Sequence, residues 1–371
     1  MTLQAELRFL FVPSATGCWP VDGSRSPHRH YRILLAALSL TLLCSCSPAA
    51  KITANGTLFP NQGFEAKKAE AAAFVEKGCY VDFKKAIQLY RELSTEPLMK
   101  NKITLPFVKA LILAAVRERE LGILNDAYIQ EASNIITGKS NLQFLVPYVD
   151  LTMWMYPKTK GIMKDIDTMG IVQVVNRTLK NARINADMQL RARTDEVLAY
   201  LYVTFCTEYT RYLEGAGMLT DFIGQYRGSI LFRYKAATTY PKLDSKLLEA
   251  LLVSEPEFYE ADYHLGQLDL GIDRPLDIDR QSADLFEAEK HFLKAQAGIP
   301  ESSQITMYLG GISVVTQEFD KAVEYFDRTL AIAPTYRDAL LGKSICLGYM
   351  GKHEEAIGNL NRLVTMGSYL M

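Results

Sequence analysis

Apolar residues recur at helical spacing in the last third of the chain, most clearly between Ser303 and Tyr336. They fall three or four residues apart, which places them on one face of each of two successive helices. Gln317 and Glu318 lie between the two stretches, where the chain has to turn. Pro334 ends the second stretch, because proline has no backbone N–H with which to continue a helix. The two predicted faces consist of Ile305, Leu309 and Ile312 and of Val323, Phe326 and Leu330.

This two-helix pattern recurs along the chain. Pro300 and Pro334 are 34 residues apart, a period that is typical of stacked helical repeats. The unit after Pro334 has Lys343 and Ser344 where the others have Leu-Gly. Each unit buries its apolar face only against its neighbours, so several units predict an array. The matching positions are Leu265-Gly266, Ala288 and Phe292, then Leu309-Gly310, Ala322 and Phe326, and finally Gly351, Ala356 and Leu360.

These positions resemble the tetratricopeptide repeat (TPR) family, whose pattern has a Leu-Gly pair, a later Ala, an aromatic residue and a closing Pro. The resemblance implies an all-α fold, a right-handed superhelix of helix-turn-helix repeats. It covers residues 247–366, and a degenerate copy is suggested near the start by Gly78, Phe83, Ala86, Tyr90 and Pro97. We therefore expect a degenerate helical-repeat region at residues 66–245 and TPR-like repeats at residues 246–371.

The segment between residues 100 and 245 predicts helices without a clear repeat. Leu105–Arg119 has a helical pattern with Pro106 in its first turn, where the missing N–H costs little. Asn125–Ile136 and Ile171–Ala182 have helical patterns as well.

Aromatic residues are concentrated after Asp195. The spacing of three, four and three residues places four of them on one helical face. This face is explained by core packing between helices; alternatively, it lines a groove for a small apolar ligand or a peptide. The four residues are Tyr202, Phe205, Tyr209 and Tyr212.

The N-terminal part of the chain has the pattern of a secretion signal. Arg29 and Arg32 precede Ile33–Leu43, an apolar run that is too short to span a bilayer as a helix. The residues that follow, Leu43-Cys44-Ser45-Cys46, resemble a bacterial lipoprotein box. The resemblance implies that Cys46 is lipidated and becomes the mature N-terminus; an ordinary signal peptide with incidental cysteines is the alternative.

We therefore expect a leader and lipoprotein signal peptide at residues 1–45 and a flexible tether at residues 46–65. Acyl chains on Cys46 would anchor the protein stably. Ser47 after that cysteine suggests the outer membrane, with the protein facing the periplasm. The last repeat ends near Met366 with no visible capping helix, which favours a truncated C-terminus over an exposed or partner-covered face.

Charge and motifs exclude several functional classes. The chain has 41 basic and 42 acidic residues; without residues 1–45, which hold four basic and two acidic ones, 37 and 40 remain, a net charge of −3. Nucleic-acid binding therefore has no electrostatic support. His264, His291 and His353 have no partner at metal-ligand spacing, and no catalytic motif occurs. The sequence predicts no enzymatic activity, no metal and no cofactor.

The sequence thus predicts a membrane-anchored scaffold or adapter lipoprotein that binds a protein or peptide partner in the bacterial cell envelope. One alternative is a ligand-binding accessory of a periplasmic transport system, because the plan of the chain is similar to the T-component lipoproteins of TRAP-type transporters. Another is an outer-membrane assembly factor.

Overall fold

A computed structural model describes residues 60–97, 99–155, 168–209, 219–238, 243–271 and 284–368 of the chain, and these residues form an all-α protein without strands. They belong to one compact unit, Pro60–Met371. The leader, Cys46 and most of the tether lie outside the described residues, so these predictions stay predictions. The division of the helical part into residues 66–245 and residues 246–371 also stays a prediction. None of the described helices combines the length and apolar character needed to cross a membrane.

The described α-helices vary in length from 7 residues in α9 to 21 residues in α3. In the first part of the chain they are α1 (Pro60–Glu76), α2 (Tyr80–Ser94), α3 (Lys100–Glu120), α4 (Ala127–Ile136), a 3-10 helix (Ser140–Leu145), α5 (Val146–Trp154), α6 (Thr168–Arg177), α7 (Ala182–Ala192) and α8 (Glu196–Glu208). In the second part they are α9 (Leu219–Gln225), α10 (Ile230–Thr238), α11 (Ser245–Ser254), α12 (Tyr259–Leu270), α13 (Leu285–Gly298), α14 (Ser303–Val315), α15 (Phe319–Ile332), α16 (Arg337–Tyr349) and α17 (His353–Ser368).

The last helices follow the 34-residue period of the sequence. Helices α13, α15 and α17 begin at residues 285, 319 and 353, and α14 and α16 begin at residues 303 and 337. The packing repeats too. A Cβ atom on Gly266 would lie 2.9 Å from the Phe292 ring, and one on Gly310 would lie 2.6 Å from the Phe326 ring. Glycine at these positions therefore lets an aromatic ring of the next helix lie directly against the backbone.

Two predicted helix boundaries in the middle segment are wrong. Helix α3 begins at Lys100, five residues before the prediction, so Pro106 lies inside the helix. Pro106 removes one backbone hydrogen bond, but the flanking Ile103 and Phe107 are buried and keep the helix packed on both sides of it. The helix predicted to reach Ala182 ends at Arg177 instead, because Asn181 caps α7 by accepting a hydrogen bond from the N–H of Ile184.

Helices α2 and α3 pack against α12–α14 although about 180 residues separate them. The backbone N–H of Tyr80 donates to Oε1 of Glu260 at 2.6 Å, and Oγ of Ser302 donates to the carbonyl of Leu121 at 2.9 Å. Tyr80 and Leu121 also share a buried apolar cluster with Leu309. This contact differs from a simple array, in which each repeat touches only its neighbours. As a result α14 is buried from Ser303 through Ser313.

Candidate functional site

The aromatic residues that the sequence singles out lie in the interior. Phe205 is fully buried, and Tyr202 and Tyr209 are each 3% exposed. The hydroxyl of Tyr202 donates to Oδ1 of Asn185 at 2.7 Å, and the hydroxyl of Tyr209 donates to the carbonyl of Leu151 at 2.8 Å.

The described aromatic side chains therefore pack against protein groups along their length. Helix α8 ends at Glu208, so Tyr209 is its C-cap residue. Tyr212 lies outside the described residues, and a ligand groove formed by all four residues stays a prediction.

A cluster of charged side chains, which we call the polar clasp, lies where α3 meets α10 and α12. Its members are Arg117, Glu120, Lys235 and Glu260, and each is at most 7% exposed. In the sequence, this cluster is marked only by the run Arg117-Glu118-Arg119-Glu120, which forms the last turn of α3 and follows the apolar stretch at residues 110–116. The run by itself does not indicate that its charges are buried.

Arg117 is the central cation of the polar clasp. Its Nη1 donates to Oε2 of Glu120 at 3.0 Å and its Nη2 to the carbonyl of Gly78 at 3.1 Å. Its Nε lies 3.3 Å from Oε1 of Glu260. The guanidinium carbon also lies 3.9 Å from the ring centre of Tyr234, a cation–π contact. Arg117 thus joins α3, the turn before α2, α10 and α12 through one side chain.

Glu260 of the polar clasp and the neighbouring carboxyl group of Glu118 have raised pKa values. Burial raises the pKa of Glu118 to about 7, although Asn125 and the hydroxyl of Tyr80 donate hydrogen bonds to its Oε1 at 2.8 and 3.0 Å. Burial also raises the pKa of Glu260, against the opposing charge of Arg117. Buried charges of this kind are costly unless they are paired, and here Arg117 pairs with Glu120 and Glu260.

Carboxyl groups and a thiol lie in and around the polar clasp. Among the described residues, no group of three or more His, Cys, Asp or Glu side chains is arranged to hold a metal ion. The nearby thiol of Cys79 donates to Oδ2 of Asp82 at 3.0 Å, and burial raises its pKa well above the usual range. A thiol in this state is a poor nucleophile. A cavity of about 280 Å³ borders it, lined by Lys77, Cys79, Asp82, Glu255, Pro256, Glu257 and Phe258.

A second surface stands out at the opposite end of the chain. Helices α16 and α17 expose a stripe of large apolar side chains, which we call the end face. Val364 is 71% exposed, Tyr349 is 73% exposed and Ile357 is 56% exposed. The end face consists of Leu341, Ile345, Tyr349, Ile357, Leu360 and Val364.

Two members of the end face repeat positions that are buried one repeat earlier. Leu341 and Leu360 correspond at 34 residues to Met307 and Phe326, which are both fully buried. Helix α16 covers those two side chains, and they share an apolar cluster with its residue Cys346. Apolar patches of this kind on a protein surface mark interaction sites. The end face therefore has the composition of an interface between helices.

Comparison with known proteins adds little to this geometry. No protein-family model matches the chain. An uncharacterized protein of Methanocaldococcus jannaschii is 38% identical to it over 50 residues, which make up 13% of this chain and 58% of that protein. The chain thus spans less than two thirds of the length of this relative, and the similarity assigns neither a family nor an activity.

Proposed function

We propose that this chain is a membrane-anchored, non-enzymatic scaffold or adapter lipoprotein of the TPR type, which binds a protein partner in the bacterial cell envelope. The repeated spacing of α13, α15 and α17 and the repeated glycine–phenylalanine packing support the TPR-type superhelix. The lipoprotein box at Cys46 supports the anchor and a position at the outer membrane facing the periplasm.

The end face carries the proposal. Six large apolar side chains on two adjacent helices are exposed, and two of them, Leu341 and Leu360, stand at positions whose equivalents one repeat earlier are fully buried. Burial of apolar surface contributes roughly 25 cal/mol per Å², so a partner that covers this stripe gains a substantial part of its binding free energy there. Helix α14, in contrast, is enclosed by Tyr80, Leu121 and Ile123. A partner therefore has more apolar surface to bind at the end of the array than along α14.

The test is mild detergent extraction of the lipid-anchored protein, followed by mass spectrometry of both the proteins and the small molecules that co-purify. We expect a stoichiometric protein partner that is lost in Val364→Glu, because the charge would have to be buried in the interface. Thr365→Glu is the matched control, since Thr365 is exposed but is not part of the end face. A retained small molecule without any protein would contradict the proposal and favour a ligand-binding accessory of a transport system.

The anchor has its own test. Labelling of cells with a clickable fatty acid should mark the wild-type chain and Cys44→Ser but not Cys46→Ser. Equal labelling of Cys46→Ser would rule out Cys46 as the lipidated residue.

A further inference from the structure

We propose that the contact between the end of α3 and the turn before α14 is a pH-sensitive joint, which is closed in mild acid and opens above neutral pH. We call it the carboxyl joint, and its two acids are Glu118 and Glu301. The carboxyl joint shares no residue with the end face, so this inference goes beyond the proposed function and does not depend on it.

Glu118 is the buried acid of the carboxyl joint, and it is fully enclosed. Its Oε1 accepts hydrogen bonds from the hydroxyl of Tyr80 at 3.0 Å and from Nδ2 of Asn125 at 2.8 Å. Its Oε2 is buried too, and it has no hydrogen-bond partner among the described residues. Because a buried oxygen without a partner makes the charged form costly, the closed joint favours the protonated form of this carboxyl group.

Glu301 faces the carboxyl joint from the other side of the contact, in the turn between α13 and α14. Its Oε1 pairs with Nζ of Lys84 at 2.5 Å, whereas its Oε2 is buried and has no hydrogen-bond partner in the part of the chain that the structure describes. Burial raises the pKa of Glu118 most, and the negative charge of Glu301 raises it further. Two carboxylates repel each other when both are charged, so ionisation of Glu118 works against the contact.

The groups around Glu118 leave this repulsion in place near neutral pH. Arg119 is the cation that opposes the raised pKa of Glu118, but its guanidinium also donates to a backbone carbonyl and to Asp126. Burial raises the pKa of Tyr80 and of Tyr128, so both tyrosines stay uncharged. The pKa of Glu118 is about 7, which places the change near neutral pH. The charged and titratable groups that surround Glu118 are Tyr80 and Lys84 on α2, Arg119 on α3, Asp126 before α4, Tyr128 on α4 and Glu301 before α14.

The carboxyl joint holds the end of α3 over α14. Next to Glu301, Oγ of Ser302 donates to the carbonyl of Leu121 at 2.9 Å. Leu121 and Ile123 belong to the same buried apolar cluster as Leu309 of α14, whereas the buried residues of α8 belong to a different cluster. Opening of the joint therefore uncovers α14 while α8 stays packed, which separates this local motion from unfolding of the whole chain.

The test is hydrogen exchange of the full chain at pH 6 and pH 8, corrected for the intrinsic exchange rate and repeated in urea below the unfolding transition. We expect the protection of the α14 amides to fall roughly tenfold from pH 6 to pH 8, which is the change that a shift of the pKa from 4.5 to about 7 produces. At pH 8 this exchange should hardly depend on urea, because local opening exposes little surface. Exchange of the α8 amides should depend on urea at both pH values.

Three variants identify the groups that are responsible. Glu118→Gln imitates the protonated acid, so its α14 amides should have the same protection at both pH values. Glu301→Gln removes the opposing charge and should reduce the tenfold change; this side chain is 41% exposed, so the variant keeps the test open if Glu118→Gln does not fold. Glu289→Gln is the matched control, because Glu289 pairs with Lys321 outside the carboxyl joint, and it should respond like the wild type.

The inference is overturned if α14 is equally protected at pH 6 and pH 8, if its exchange at pH 8 depends on urea as strongly as that of α8, or if Glu118→Gln and Glu301→Gln both keep the wild-type change. Loss of the change in Glu289→Gln would overturn it as well, because the effect would then not be specific to the carboxyl joint. None of these results bears on partner binding at the end face, which Val364→Glu tests separately.

Discussion

At the scale of single residues, the turn between α14 and α15 depends on Gln317, whose φ of 64° lies in the left-handed region. The N–H of Glu318 donates to the carbonyl of Ser313 at 2.8 Å and so closes the end of α14. One repeat later the corresponding residue is Gly351, with a φ of 76°. Glycine adopts this conformation without the steric cost that a side chain brings.

We therefore expect Gln317→Gly to raise the free energy of unfolding by roughly 0.5 to 1 kcal/mol, since the strain at this position exceeds the added entropy of the unfolded chain. Chemical denaturation measures the change. Gln317→Ala keeps the side-chain strain and should leave stability within about 0.5 kcal/mol of the wild type. A loss of stability in Gln317→Gly would show that the turn is not strained.

Gly310 illustrates the opposite requirement, which is space. We expect Gly310→Ala to lower the free energy of unfolding by about 1 to 3 kcal/mol, because its methyl group would meet the ring of Phe326 at 2.6 Å. Gly358→Ala is the control, since nothing lies within 4 Å of its added methyl group. It should be neutral or stabilising by up to about 1 kcal/mol, as alanine favours helix. Thermal unfolding of both variants measures the two changes in stability. Equal changes in Gly310→Ala and Gly358→Ala would contradict the close contact between Gly310 and Phe326.

Several single-residue predictions from the sequence are confirmed, because they depend on local geometry. The turn at Gln317 and Glu318 follows from the break between two apolar stretches. Helix α15 ends at Ile332, and Pro334 follows its C-cap residue Ala333. The end of the helix predicted at Ala182 was wrong because the cap formed by Asn181 competes with continuation of the helix. A short polar side chain can either continue a helix or begin the next one, and the apolar pattern alone does not decide between these outcomes.

At the scale of helices, α3 is the element whose end the sequence describes least well. A run of four charged residues normally indicates the solvated end of a helix. Here it is buried, because α2 and α3 pack against α12 and α14, and contacts between residues about 180 positions apart leave no local trace in the sequence. The all-α class is predictable from the helical spacing, whereas the polar clasp depends on this long-range contact.

Removal of the central cation tests the polar clasp. We expect Arg117→Met to lower the free energy of unfolding by about 3 to 5 kcal/mol, since Glu120 and Glu260 would lose their shared partner in the interior. Arg91→Met is the control: Arg91 pairs with Glu131 near the surface, and exposed pairs contribute about 1 kcal/mol or less. Urea denaturation measures both. Similar small losses in the two variants would mean that the polar clasp does not stabilise the fold.

Glu118 gives stability a pH dependence. The pKa of Glu118 rises from 4.5 to about 7 in the folded chain. Between pH 4.5 and pH 7, the folded state therefore keeps a proton that the unfolded state has released. The free energy of unfolding therefore falls as the pH rises from about 4.5 through about 7, by up to about 3 kcal/mol from this group. In Glu118→Gln this contribution should disappear. Denaturation at a series of pH values checks the slope, and an unchanged slope in Glu118→Gln would exclude Glu118 as its cause.

At the scale of the whole molecule, the two ends of the described chain differ in character. Helix α1 exposes alanines, whereas α16 and α17 expose large apolar side chains. The sequence predicted the apolar residues of α17 and favoured a truncated C-terminus over an exposed or partner-covered face, a preference that stays a prediction. The structure shows that these apolar residues are exposed, whereas Phe326, the equivalent of Leu360 one repeat earlier, is fully buried. The apolar pattern alone does not distinguish these two environments.

The central claim is that this protein works by binding another protein through the end face. The most direct test is a photo-cross-linking amino acid placed at position 364, with position 365 as the control, in cells that make the full chain. We expect one protein adduct of defined mass from position 364 and little from position 365. Equal adducts from both positions, or none from position 364 while the chain is folded and anchored, would contradict the claim.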